Sequence, residues 1–145
     1  MIRIFTTLAP WVIVGTIVIP PFIARMESAD NWFRVSGITV PDVEHGQPII
    51  LSVSRTISRP FVGSWFSTVR SINPTGTEIV CAATGGTSYR TDAQLPKPTT
   101  LDWWTYPVKC QLPPGQYRLD TTWQFDVATG VTKTVTSESN IFRVK

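Results

Sequence analysis

Leu112-Pro113-Pro114-Gly115-Gln116-Tyr117-Arg118-Leu119-Asp120-Thr121-Thr122-Trp123-Gln124-Phe125-Asp126 begins as a turn and continues as a strand. Pro113-Pro114 fixes φ twice and withholds two backbone donors, and Gly115 permits a positive φ. After the turn the side chains alternate. Tyr117, Leu119, Thr121, Trp123 and Phe125 share one face, and Arg118, Asp120, Thr122 and Gln124 share the other. Period 2 marks a strand with one dry and one wet face. A face carrying Tyr117, Leu119, Trp123 and Phe125 needs a second sheet to cover it, which predicts a β-sandwich with these residues in its core.

The rest of the chain supplies the other strands. Residues 32–40, 49–56, 61–72 and 77–82 read as four strands, the last two joined as a hairpin by Asn73-Pro74-Thr75-Gly76. Gly85-Gly86-Thr87-Ser88 and Leu95-Pro96-Lys97-Pro98 bound a long connection. Short strands are expected at 100–104 and 108–110, then the opening stretch, then 131–137 and 141–144. Turn signals recur about every 8–12 residues, the pattern of an all-β antiparallel sandwich. Its twelve prolines and nine glycines are spread along the chain, as many short strands require.

Ile4 to Ala24 carries no charge, with Arg3 before it and Arg25 after it. About 20 apolar residues suffice to cross the hydrocarbon core as a helix. Pro10 should kink that helix and Pro20-Pro21 should end it. Cutting after Ala24 would place Phe22 at the −3 position, and cutting after Ala29 would place Glu27 there. Both are poor signal-peptidase sites, so a retained signal-anchor is favoured over a cleaved signal. The expected layout is residues 1–24 as a transmembrane signal-anchor, 25–30 as a linker and 31–145 as the sandwich. The weak charge asymmetry places the N-terminus in the cytoplasm and the domain in the periplasm or outside the cell.

Trp65 on the third strand, with Leu112 to Leu119 before a late strand, resembles immunoglobulin-like and fibronectin type III-like domains over residues 31–145. The resemblance implies that Trp65 packs in the core, reaching Trp123 from the opposite sheet, and that Tyr117 forms a tyrosine corner. The cysteines depart from the antibody pattern: Cys81 lies on the fourth strand and Cys110 just before the corner. An anchor followed by one sandwich also looks like small membrane-tethered proteins encoded by bacteria and their phages.

Chemistry is sparse. Cys81 and Cys110 allow one disulfide, which an exported domain would keep, worth roughly 3–4 kcal/mol in the chain-entropy model. Two buried free thiols in a reducing compartment are the alternative. No C-x-x-C or Cys/His cluster supports zinc or thiol redox work. His45 sits in a turn, and no G-x-S-x-G accompanies it. Asp42 and Glu44 fall short of the roughly six oxygens that Ca²⁺ takes. Asp120 and Asp126 suit a cross-strand ion pair and a turn contact. Neither a catalytic residue, a metal nor a cofactor is expected. The net charge of +3 comes from dispersed cations, which speaks against a nucleic-acid partner.

Leu101-Asp102-Trp103-Trp104-Thr105-Tyr106-Pro107 is the most suggestive cluster. On a strand, Trp103 and Trp104 would point to opposite faces, one into the core and the other either exposed or buried under a covering loop. Trp103, Trp104 and Tyr106 are therefore the candidate binding residues, for a protein or glycan partner. The function expected is a membrane-tethered, non-catalytic binding or structural module at the cell envelope or virion. A cell-envelope hydrolase, or an inhibitor of an envelope enzyme, is the alternative.

Overall fold

The strand read from Tyr117 to Phe125 forms the centre of the larger of two sheets in the computed structural model, which describes residues 22–145. In chain order the elements are β1 (Phe33–Thr39), β2 (Ile50–Ile57), β3 (Phe61–Asn73), β4 (Gly76–Tyr89), β5 (Thr99–Thr100), a one-turn helix α1 (Leu101–Trp104), β6 (Gly115–Ala128), β7 (Val131–Glu138) and β8 (Phe142–Val144). One sheet has the order β1-β2-β5. The other has the order β4-β3-β6-β7, with β8 paired to the start of β6. All strand pairs are antiparallel. Two isolated parallel bridges, Ile38 to Ser139 and Val43 to Val144, join the two layers along one edge. The fold is an all-β sandwich.

Along β6, Tyr117, Leu119, Thr121, Trp123 and Phe125 are all buried, while Gln116, Gln124 and Asp126 are exposed. Fully burying a side chain such as Leu119 or Phe125 stabilises by about 1.5–3 kcal/mol. Phe33 closes this face from the smaller sheet. Its ring centroid lies 5.3 Å from that of Trp123, 5.6 Å from that of Phe61 and 5.6 Å from that of Tyr89. On the outer face Asp120 bridges Arg70 at 2.9 Å and Arg118 at 2.8 Å, and Asp126 accepts from Thr132 Oγ1 at 2.6 Å. Asp120 takes the cross-strand role, and Asp126, expected at a turn, also bonds across a strand pair, to Thr132 on β7.

The turn before β6 works differently from its sequence reading. Gly115 does not have a positive φ. A Cβ there would meet the Tyr117 hydroxyl at 3.2 Å, so glycine makes room for the ring. The Tyr117 hydroxyl donates to the Pro113 carbonyl at 2.6 Å. It thereby ties the double-proline turn to the strand that follows, as a tyrosine corner does.

Three further expectations change. Trp65 does not reach Trp123 from the opposite sheet. β3 bonds directly to β6, and Trp65 and Trp123 are paired neighbours on the same inner face. Trp65 is only half-buried; the residue that meets Trp123 from across the sandwich is Phe33. Secondly, β4 does not end at Ala82 but runs through Gly85 and Gly86 to Tyr89, paired to β3 throughout. A Cβ on Gly85 would come within 2.8 Å of the Trp65 indole, so glycine here serves a cross-strand aromatic rather than a loop. Thirdly, residues 101–104 are a helical turn and not a strand. Thr100 Oγ1 accepts from Trp103 N at 3.3 Å as its N-cap, and Asp102 sits in its first turn. Residues 108–110 form no strand.

Cys81 and Cys110 are disulfide-bonded, with Cα atoms 5.8 Å apart. The bond fastens β4 to the segment that follows α1. Residues 25–30 are docked on the domain. Glu27 accepts from Trp32 Nε1 at 3.2 Å and pairs with Arg59 at 2.9 Å, and Lys133 Nζ donates to the carbonyls of Arg25 and Glu27. The expected membrane helix falls almost wholly on residues outside those described. Among the described residues no helix is long and apolar enough to cross a membrane.

Candidate aromatic binding cleft

β5 is only two residues long, so the smaller sheet stops short of β4. Inner-face positions of β3 and β4 beyond it depend on the connection 90–98 and on α1 for cover. The cover is incomplete: Thr87 points to the inner face yet is exposed. What remains is a cleft of about 550 Å³. Its floor is Trp65, Ser67, Thr121 and Trp123; Trp103, Trp104 and Tyr106 form one wall; Tyr89, Ala93, Gln94 and Arg55 form the other.

α1 sets the aromatic wall. A helical turn places successive residues about 100° apart, so neither indole is driven to the opposite side of the chain as a strand would require. Trp104 is 7% exposed and lies edge-on to Trp123, with centroids 6.1 Å apart. Its Nε1 donates to Thr121 Oγ1 at 3.0 Å, and Thr121 shares a second hydrogen bond with Ser67 Oγ at 2.8 Å. The floor is thus satisfied and rigid. Trp103, 49% exposed, and Tyr106, 72% exposed, form the accessible part of that wall. The three aromatic candidates from the sequence line one cleft, with Trp104 bracing it and the other two at its mouth.

Arg55, Tyr89 and Gln94 were not singled out from the sequence. On β2 the inward positions are Leu51, Val53, Arg55 and Ile57, so Arg55 interrupts an apolar face with a charge. That interruption was the available signal. Burial lowers the Arg55 guanidinium from its usual value, and the nearby Tyr89 phenol opposes this. Burial pushes the Tyr89 phenol up to about 12, with the Arg55 charge acting against the rise. At ordinary pH one group is therefore a cation and the other a neutral phenol.

No family model and no curated protein sequence matches this chain.

The remaining sequence candidates lie elsewhere. His45 is exposed, its Nδ1 3.3 Å from the Leu112 carbonyl, and Asp42 accepts from the Arg143 backbone N–H at 2.8 Å. Among the described residues no cluster of three or more His, Cys, Asp or Glu side chains is placed to hold a metal ion. Of the residues named as core, Tyr117, Leu119 and Phe125 lie away from the cleft, whereas Trp123 and Trp65 help to floor it.

Proposed function

We propose that this chain is a membrane-tethered, non-catalytic binding module of immunoglobulin-like topology, acting at a cell envelope or virion surface, and that its aromatic cleft holds a glycan. The observation that carries the reading is the cleft itself: accessible indole and phenol faces on one wall, with the exposed Gln94 amide and the Thr87 and Ser88 hydroxyls around them. A pyranose has a flat C–H face and a polar rim. Aromatic faces, negative at the centre, attract the first, and hydroxyl and amide groups bond the second. The volume of about 550 Å³ lies within the range of small-ligand sites.

Topology and placement support the rest. The strand order, the two parallel bridges that join the layers along one edge and the Tyr117 corner are compatible with an immunoglobulin-like domain. The uncharged segment Ile4 to Ala24 supports a single-pass anchor, with the N-terminus cytoplasmic and the domain periplasmic or extracellular. The disulfide fits an oxidising compartment. A hydrolytic site would bring a carboxylate or imidazole into the cleft. The ionisable side chains lining this one are Arg55, Tyr89 and Tyr106, and none of them is a carboxylate or an imidazole.

The test is co-sedimentation of the full-length protein, solubilised in detergent, with purified insoluble envelope glycan. The wild type should pellet with the glycan, and Trp103→Ala or Tyr106→Ala should weaken binding about tenfold or more, a loss of about 1.4 kcal/mol or more. Both side chains are exposed, so neither change threatens the fold. Wild-type protein remaining in the supernatant would refute the reading.

A further inference from the structure

We propose that the cleft is built for an acidic sugar, a pyranose bearing a carboxylate, and that Arg55 is the group that reads the charge. This rests on the glycan reading of the cleft and deepens it.

Arg55 is the one cationic side chain lining the cleft. Among the described residues, ion pairs engage Arg34, Arg59, Arg70, Arg90 and Arg118, but not Arg55. The carboxylate on the neighbouring connection, Asp92, is already held by two hydrogen bonds from Arg90, both 3.0 Å. Tyr89 beside Arg55 is a neutral phenol and provides no counter-charge. A half-buried guanidinium without an anion costs free energy, because its hydration is partly lost and nothing replaces it. An inward position between Val53 and Ile57 would serve stability better with an apolar side chain. The cation there therefore fits a ligand that completes it.

Guanidinium presents a planar fork of donors, and a carboxylate returns two coplanar acceptors. A sugar stacked on Trp103 or Tyr106 with its carboxylate toward Arg55 would satisfy both walls at once. A neutral sugar would keep the stacking and leave the charge unpaired. Sulfate and phosphate esters can also meet a guanidinium, so they form a separate arm of the test.

The experiment is a glycan array probed with the full-length protein in detergent. Uronate-, sialate- and lactyl-ether-bearing oligosaccharides are printed beside their carboxyl-reduced counterparts and beside sulfated and phosphorylated sugars. Wild type should bind carboxylated members at least tenfold more tightly than the matched reduced ones. Arg55→Met should abolish that preference, and Arg55→Lys, which keeps the charge but not the fork, should retain part of it. The comparison of acid with reduced glycan needs no variant, so it stands even if Arg55→Met folds poorly. Equal binding of acid and reduced forms, or a preference unchanged in Arg55→Met, would overturn the role of Arg55 and leave the glycan cleft standing. Sulfated or phosphorylated sugars bound as well as carboxylated ones would overturn the carboxylate assignment. Failure to bind any glycan, or binding unaffected by Trp103→Ala, would overturn the cleft reading itself.

Discussion

Trp123→Ala is expected to destabilise the domain by about 3–5 kcal/mol, the cost of emptying a large aromatic site in a packed core. Trp123 is 3% exposed and lies between Phe33 of the facing sheet and Trp104 of α1. Its loss leaves a cavity that opens onto the cleft, and Trp104 loses the ring it leans on. Domains of this size have roughly 5–15 kcal/mol in total, so the variant should be largely unfolded at moderate urea. Gln124, one residue along, is exposed on the outer face, and Gln124→Ala should cost less than about 1 kcal/mol. Trp65→Ala should fall between them, since Trp65 is half-buried and covers Gly85 rather than the sandwich centre. Urea midpoints of the three variants measure this directly. Equal shifts for Trp123→Ala and Gln124→Ala would contradict the packing of β6.

Removing the disulfide should have the next largest effect. The double variant Cys81→Ser/Cys110→Ser is expected to lose about 2–5 kcal/mol. The two cysteines are 29 residues apart, and the loop they close holds Tyr89, Gln94, Trp103, Trp104 and Tyr106. The bond therefore stabilises the domain and also holds α1 over the inner face of β4. Reduction should lower the urea midpoint and shift tryptophan emission to the red as Trp104 gains access to water. It should weaken glycan binding even at temperatures where the domain stays folded. A reduced protein with unchanged midpoint and unchanged binding would show that the bond supports neither.

β6 was legible because both physical signals coincided there. Strict alternation from Tyr117 to Phe125 and a turn from Leu112 to Gly115 agree on one strand, and the hairpin at Asn73 to Gly76 is equally local. The errors arose where a residue served a distant neighbour. Gly85 and Gly86 read as a loop because nothing local reveals that the Trp65 ring lies across Gly85. Residues 101–104 read as a strand because their aromatics favour strands, while the Thr100 cap and Asp102 that turn the chain into a helix form a weaker pattern. The sheet of Trp65 is not legible, because alternation gives the face of a residue but not which strands are paired. Trp103, Trp104 and Tyr106 could be found from composition alone. Arg55 required the alternation of β2 to be carried two residues further, and Tyr89 lay beyond the expected end of β4.

The most direct measurement is indole N–H chemical-shift mapping by NMR on the full-length protein, titrated with the carboxylated oligosaccharide that binds best. Trp32 is an internal control, because its Nε1 is bonded to Glu27 and Arg59 lies over its ring, away from the cleft. The indole signals of Trp103 and Trp104 should move most, Trp65 and Trp123 less, and Trp32 not at all. Shifts confined to Trp32, or shared evenly by Trp32, Trp65, Trp103, Trp104 and Trp123, would contradict a glycan site in the aromatic cleft.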